Sequence, residues 1–142
     1  MTLADIRVGL RALLLGDAAI SAAVGSARIY PIKLPQGQKL ASIVYSRISG
    51  YNDHYMDEPS GVNRARVQID CWAPTTDAAD LLARQVKNRI DGYRGSILWG
   101  ENSPADAIIV QGIFFDGERE DWDDAAQMYR SSKDYIVWFI ER

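Results

Sequence analysis

The sequence predicts an α+β fold, with a mainly antiparallel sheet of four or five strands and two helices packed on one face, in a single domain spanning residues 1–142. Three observations carry this expectation. Apolar residues recur at helical spacing near the N-terminus and again after Pro74, whereas the middle and closing segments alternate or are rich in β-branched and aromatic residues. Elements grouped in this way, rather than strictly alternating, favour α+β over a doubly wound sheet. A chain of 142 residues with 47% hydrophobic content can also fill one core without staples.

The first helix is expected to start at Thr2, whose hydroxyl can accept a free backbone N–H, with Asp5 favouring the positive helix end. Leu3, Ile6, Leu10, Leu13 and Leu14 form its apolar stripe, and Gly16-Asp17 interrupts the pattern before a short helical stretch ending near Gly25. Arg28-Ile29-Tyr30-Pro31 is a brief extended piece, followed by a turn at Pro35-Gln36-Gly37-Gln38. Ile43, Val44, Tyr45 and Ile48 mark a strand over 42–49 that Gly50 should end, and 51–63 should be a long polar excursion. The cleanest alternation follows: Ala65, Val67, Ile69 and Cys71 share one face, and Arg64, Arg66, Gln68 and Asp70 the other.

Pro74-Thr75-Thr76-Asp77 supplies helix-start chemistry. Ala78, Leu81, Leu82, Gln85, Val86, Arg89 and Ile90 then define a helix face, with Gly92 as the stop. Strands are expected at 107–115 and 134–140.

Composition excludes several classes of function. Sixteen basic residues against 19 acidic ones give a net charge of −3, and no basic run could neutralise a phosphate backbone by counterion release. The single cysteine, Cys71, cannot close an intramolecular disulfide, which fits a reducing compartment. Asp5, Arg7 and Arg11 interrupt the N-terminal apolar stretch before it reaches signal-peptide or membrane-spanning length.

Catalytic patterns are missing as well. Gly95-Ser96 has Arg94 where a nucleophile elbow needs glycine, and no glycine-rich segment has the spacing that holds phosphates. One cysteine and one histidine cannot build the usual zinc site. The dense acidic cluster Asp116, Glu118, Glu120, Asp121, Asp123 and Asp124 fails the calcium-loop pattern, because counting from Asp116 places Asp121 at the glycine position and Gln127 at the final glutamate. No catalytic residue, metal or cofactor is therefore assigned. Two tryptophans suggest partner anchors instead: Trp72, on the polar side of its alternation, and Trp122, inside the acidic cluster. His54 and Tyr55, in the polar excursion, join them as candidate contacts.

Four segments together carry a resemblance. They are Arg28-Ile29-Tyr30-Pro31; Ala41-Ser42-Ile43-Val44-Tyr45, preceded by Pro35-Gln36; Ala65-Arg66-Val67-Gln68-Ile69-Asp70-Cys71-Trp72-Ala73; and Tyr129-Arg130 leading to Asp134-Tyr135-Ile136-Val137-Trp138. In this order the chain resembles the tail completion proteins of long-tailed phages and prophages, also called tail terminators or tail-to-head joining proteins. It departs from their pattern at Leu40, where proline is expected. The resemblance implies a non-enzymatic structural protein that forms a homo-hexameric ring, caps the tail tube protein, and meets a head completion or connector protein. DNA would pass through without specific binding, no membrane is involved, and the location would be the virion tail or neck after assembly in the host cytoplasm.

Two further expectations concern loops. The acidic segment 116–124 would be a lumen-facing loop that repels passing phosphates, and 51–63 would order only against a neighbouring ring. The alternatives are another neck or tail-tube structural protein, a peptide-binding adaptor, or a metal-dependent hydrolase using 116–124.

Overall fold

The computed structural model describes residues 6–54, 59–97 and 108–140. The N-terminal helical pattern breaks where Gly16-Asp17 predicts. Helix α1 spans Ile6–Leu15, and α2 spans Ala18–Ala23, with Asp17 as its N-cap accepting from the N–H groups of Ala19 and Ile20. Ile6, Leu10, Leu13 and Leu14 are buried, whereas the expected start at Thr2, Leu3 and Asp5 lies outside the described residues.

Strand β1 (Ile29–Pro31) pairs in parallel with β2 (Ser42–His54), which forms an antiparallel hairpin with β3 (Pro59–Ala73). The strand thus runs through Gly50 instead of ending there, with register shifts after Arg47 and after Asn52. The polar excursion expected at 51–63 is therefore mostly hairpin. Polar residues are compatible with a ladder whose backbone groups satisfy each other, and β-bulges absorb the irregularity that obscures the alternation.

Helix α3 (Thr76–Ile90) is capped by Thr75, whose hydroxyl accepts from the N–H of Ala78. Its buried face is Ala79, Leu82, Ala83, Val86 and Ile90, so the expected face is rotated: Leu81 is 56% exposed and Ala78 is exposed. Small alanines pack where the helix approaches the sheet closely, which a count of large apolar residues does not detect. Gly92 (φ 79°) ends the helix in the left-handed region and donates its N–H to the carbonyl of Ile113 at 2.7 Å. Arg89 donates Nε to the carbonyl of Leu13 at 2.9 Å, tying α3 to α1.

Strand β4 (Gly95–Ile97) pairs with β5 (Ile108–Asp123), and β5 forms a long antiparallel hairpin with β6 (Met128–Ile140). The described residues thus form one six-stranded sheet, ordered β1-β2-β3-β6-β5-β4, with three helices. The class is the expected α+β, but strand and helix numbers are higher: the short helical stretch after Gly16-Asp17 and the brief extended piece at 28–31 count as α2 and β1, and the edge strand β4 is too brief to show a period.

Ala65, Val67, Ile69 and Cys71 of β3 join Tyr135, Val137 and Phe139 of β6 and the helix residues in the main core. A second small core of Val44, Trp72 and Met128 lies elsewhere, with Tyr30, Leu34 and Ala126 packed against it. Among the described residues no helix is long and apolar enough to cross a membrane.

Candidate interaction surface

Strand alternation divides the acidic cluster, which is not a loop. Asp116 to Asp123 lie on β5, and only Asp124 stands in the turn before β6. Facing residues set the sides. Glu118 opposes Lys133 and Glu120 opposes Ser131, on the helix-covered side with Tyr135. Asp121 opposes Arg130 and Asp123 opposes Met128, on the other side. One flat acidic surface towards a lumen is therefore not what the strand presents.

Asp116, Glu118 and Asp121 also have basic partners. Arg66 bridges Asp116 and Asp134, the latter at 2.9 Å, and Arg119 reaches Asp134 at 3.6 Å and the Gln68 amide oxygen at 2.7 Å. Gln68 donates to Asp70 at 2.8 Å, and the Ser132 hydroxyl donates to the same carboxylate oxygen at 2.6 Å. Arg130 pairs with Asp121, and the buried ammonium of Lys133 with Glu118.

The guanidinium of Arg66 is pushed above its ordinary range, first by its hydrogen bond to Asp116 and then by that to Asp134. Lys133 lowers the Glu118 carboxyl, chiefly through their hydrogen bond. Single exposed pairs contribute little, but β3, β6 and β5 share a continuous ladder of charges on their uncovered face. Its field is balanced rather than strongly negative.

Trp72 is 6% exposed, so it is not the exposed anchor the alternation suggests. The segment after β1 and the β5–β6 turn fold over that end of the polar face, where Lys39 donates Nζ to the carbonyl of Ala126 at 2.8 Å. Arg130 lies over the Trp72 ring, 5.3 Å from its centroid. A groove of about 450 Å³ follows, lined by Leu34, Val44, Asp70, Trp72, Asp123 and Arg130 among others.

Trp122, in contrast, is 43% exposed and packs against Tyr129, ring centroids 4.7 Å apart. The pair borders a mainly apolar groove of about 250 Å³ that also touches Thr76 and Ala79 of α3. An exposed, mutually braced aromatic pair at a hairpin end has the form of a partner anchor. Trp122 is thus placed at the surface and Trp72 in a small core. His54 is the last residue of β2, and Tyr55 lies outside the described residues.

Tyr129, Arg130 and Lys133 were not among the expected site residues. Their signal is nevertheless present: they mirror Trp122, Asp121 and Glu118 about one turn, as facing residues of a hairpin must.

Cys71 is buried, and burial followed by the charge of Asp70 pushes its thiol far above the usual range, so it is not an activated nucleophile. Among the described residues no group of three or more His, Cys, Asp or Glu side chains could hold a metal ion.

The family model described as tail completion protein gp17 matches residues 8–140. No curated protein matches. Among solved structures, a chain from one described as the virion of a native gene transfer agent particle is similar, with a TM-score of 0.63 and 17% identity over 94% of this chain and 92% of that one. At that identity the likeness supports the fold.

Proposed function

The chain belongs to the tail completion protein gp17 family, and from that premise we propose that it caps the phage tail tube as a ring and joins the tail to the head connector. A phage tail structural protein, located in the tail or neck of the virion, is what family membership establishes. The finer role, including the homo-hexamer and contacts to tube and connector proteins, is our reading.

The observation that carries it is the placement of two hairpins at opposite ends of one sheet. The β2–β3 hairpin extends past β6, because Pro59–Gly61 lie beyond the first β3–β6 pair, Val62 with Ile140. At the other end, β5 and β6 pass β3 by one residue pair, Asp123 with Met128, and their turn, and the Trp122–Tyr129 pair sits level with the last β3 residue, Ala73. A subunit stacked between two different partners needs two different surfaces, one at each end. We assign His54, at the end of β2, and Tyr55 to one neighbour and Trp122 to the other. DNA would pass the ring without specific binding, since the charged ladder is internally balanced. No catalytic role is assigned.

Gold labelling of an epitope-tagged chain in intact particles tests the location within the virion. One cluster of label at the head–tail junction is expected, and label at the distal tail tip would contradict the joining role.

A further inference from the structure

Along its first half, the outer edge of β5 is occupied. Strand β4 pairs with it at Ile108–Val110, and the end of α3 then takes over: the carbonyl of Ile113 accepts from Gly92, and the N–H of Phe115 donates to the Asp91 carboxylate at 2.9 Å. These bonds show that the backbone groups of Ile113 and Phe115 face away from β6. After the register shift at Asp116, alternation along the ladder with β6 turns the N–H and C=O groups of Glu118, Glu120 and Trp122 towards that same outer edge. The carbonyl of Asp123 fits this parity, because it accepts from Gln127 inside the β5–β6 turn. Among the described residues no strand pairs with this stretch and its outward backbone groups make no hydrogen bond.

The open edge adjoins an apolar groove. Glu118, Glu120 and Trp122 alternate onto the helix-covered side, as do their facing residues Lys133, Ser131 and Tyr129. Glu120, Trp122, Tyr129 and Ser131 line the groove of about 250 Å³ together with Thr76 and Ala79 at the start of α3. Because β5 lies outside β6 in the sheet, Glu120 and Trp122 stand on the edge side of the groove. Glu118 is paired with Lys133, whereas Glu120 is exposed and its carboxylate has no ion-pair or hydrogen-bond partner among the described residues.

We infer that an extended segment of a different protein adds to the sheet along Glu118–Trp122, with a basic residue beside Glu120 and an apolar residue beside Trp122. The inference rests on the assignment of Trp122 to one of the two neighbours and names what that neighbour contributes. Unpaired N–H and C=O groups along an edge are a template for another strand, and pockets beside the edge select its side chains. A strand added ~4.8 Å from β5 places its side chains next to those of β5 at the same spacing of two residues on one face. The side chain beside Trp122 extends the Trp122–Tyr129 row and enters the groove, and the one beside Glu120 meets a carboxylate that nothing else balances.

Charge selects the partner. Asp116, Glu118, Glu120, Asp121 and Asp123, against Arg119 alone, disfavour pairing with β5 of a second copy, since like charges directly opposite are destabilising. The edge strands β1 and β4 are only three residues long, too short to cover Glu118–Trp122. From Ile108 to Asp123 the strand has neither lysine nor proline, the residues that commonly block an edge. Its acids instead reject acidic strands and admit a basic one.

Hydrogen–deuterium exchange followed by mass spectrometry, comparing the full chain free in solution and incorporated into particles, tests the pairing. Peptides covering 117–123 should slow by roughly tenfold or more on incorporation, as newly paired backbone does. A photoactivatable crosslinker on Thr76→Cys, selective because Cys71 is buried, identifies what fills the groove. The linked peptide should come from a different protein and hold a lysine or arginine two positions from an apolar residue, the spacing of one strand face. Unchanged exchange in the incorporated chain overturns the strand addition and leaves the joining role standing. A crosslink to another copy of this chain, to a segment without that residue pair, or to no protein overturns the named partner. Particles that lack the chain altogether remove the proposed function, and the inference with it.

Discussion

At the level of single residues, the polar side chains that the sheet encloses behave in different ways. The Tyr135 hydroxyl is buried without a hydrogen-bond partner among the described residues, and burial pushes its pKa up. Removing an unsatisfied hydroxyl while keeping the ring costs little, so Tyr135→Phe should leave unfolding stability unchanged or raise it by up to about 1 kcal/mol in a urea titration. A loss of stability would reveal a hidden partner.

Glu118 acts in the opposite sense. Its folded pKa is lowered by Lys133, so its contribution is present above the ordinary glutamate range and is lost as pH falls through the lowered value. The carboxylate is largely exposed, which keeps the effect small. Glu118→Gln should therefore flatten the acid side of a plot of Tm against pH and leave the neutral side nearly unchanged. Cys71 was readable from the sequence as a buried small hydrophobe, because its alternation with Ala65, Val67 and Ile69 is unambiguous. Trp72 was not, because the groups that cover it, around Leu34 and Ala126, come from distant segments.

At the level of elements, α3 separates what periodicity can and cannot fix. Its span, its cap at Thr75 and its stop at Gly92 follow from local chemistry and appear where expected. Its buried face does not, since Leu81 and Leu82 are adjacent and the sequence cannot show which meets the sheet. Leu82→Ala should cost about 2–5 kcal/mol, as truncation of a buried leucine does. Leu81→Ala should stay within about 0.5 kcal/mol in the same denaturation experiment. Equal costs would mean that the helix sits rotated from the position described.

The two hairpins show a similar limit. Gly50 and the polar run after it look like a loop because bulges break the two-residue alternation, and the acidic run 116–123 looks like a loop because its basic partners come after the turn. Searching for complementary residues mirrored about a turn would have exposed the β5–β6 pairing.

For the whole molecule, the family could be read from the order of four strand-like segments, whereas the surface that would serve it was legible only in part: Trp122 stood out, but its brace Tyr129 depends on how β5 and β6 pair. Trp122 belongs to this scale. Trp122→Ala should leave Tm within about 2 °C, as exposed side chains generally do, while weakening attachment of the chain to its partner at that end in a pull-down from lysate. Retained attachment would move the anchor elsewhere. The reading as a whole stands or falls on particle assembly. Electron microscopy of lysates from a phage lacking this gene should show filled heads separate from tails, with the tails irregular in length. Normal joined particles with tails of uniform length would contradict a capping and joining role.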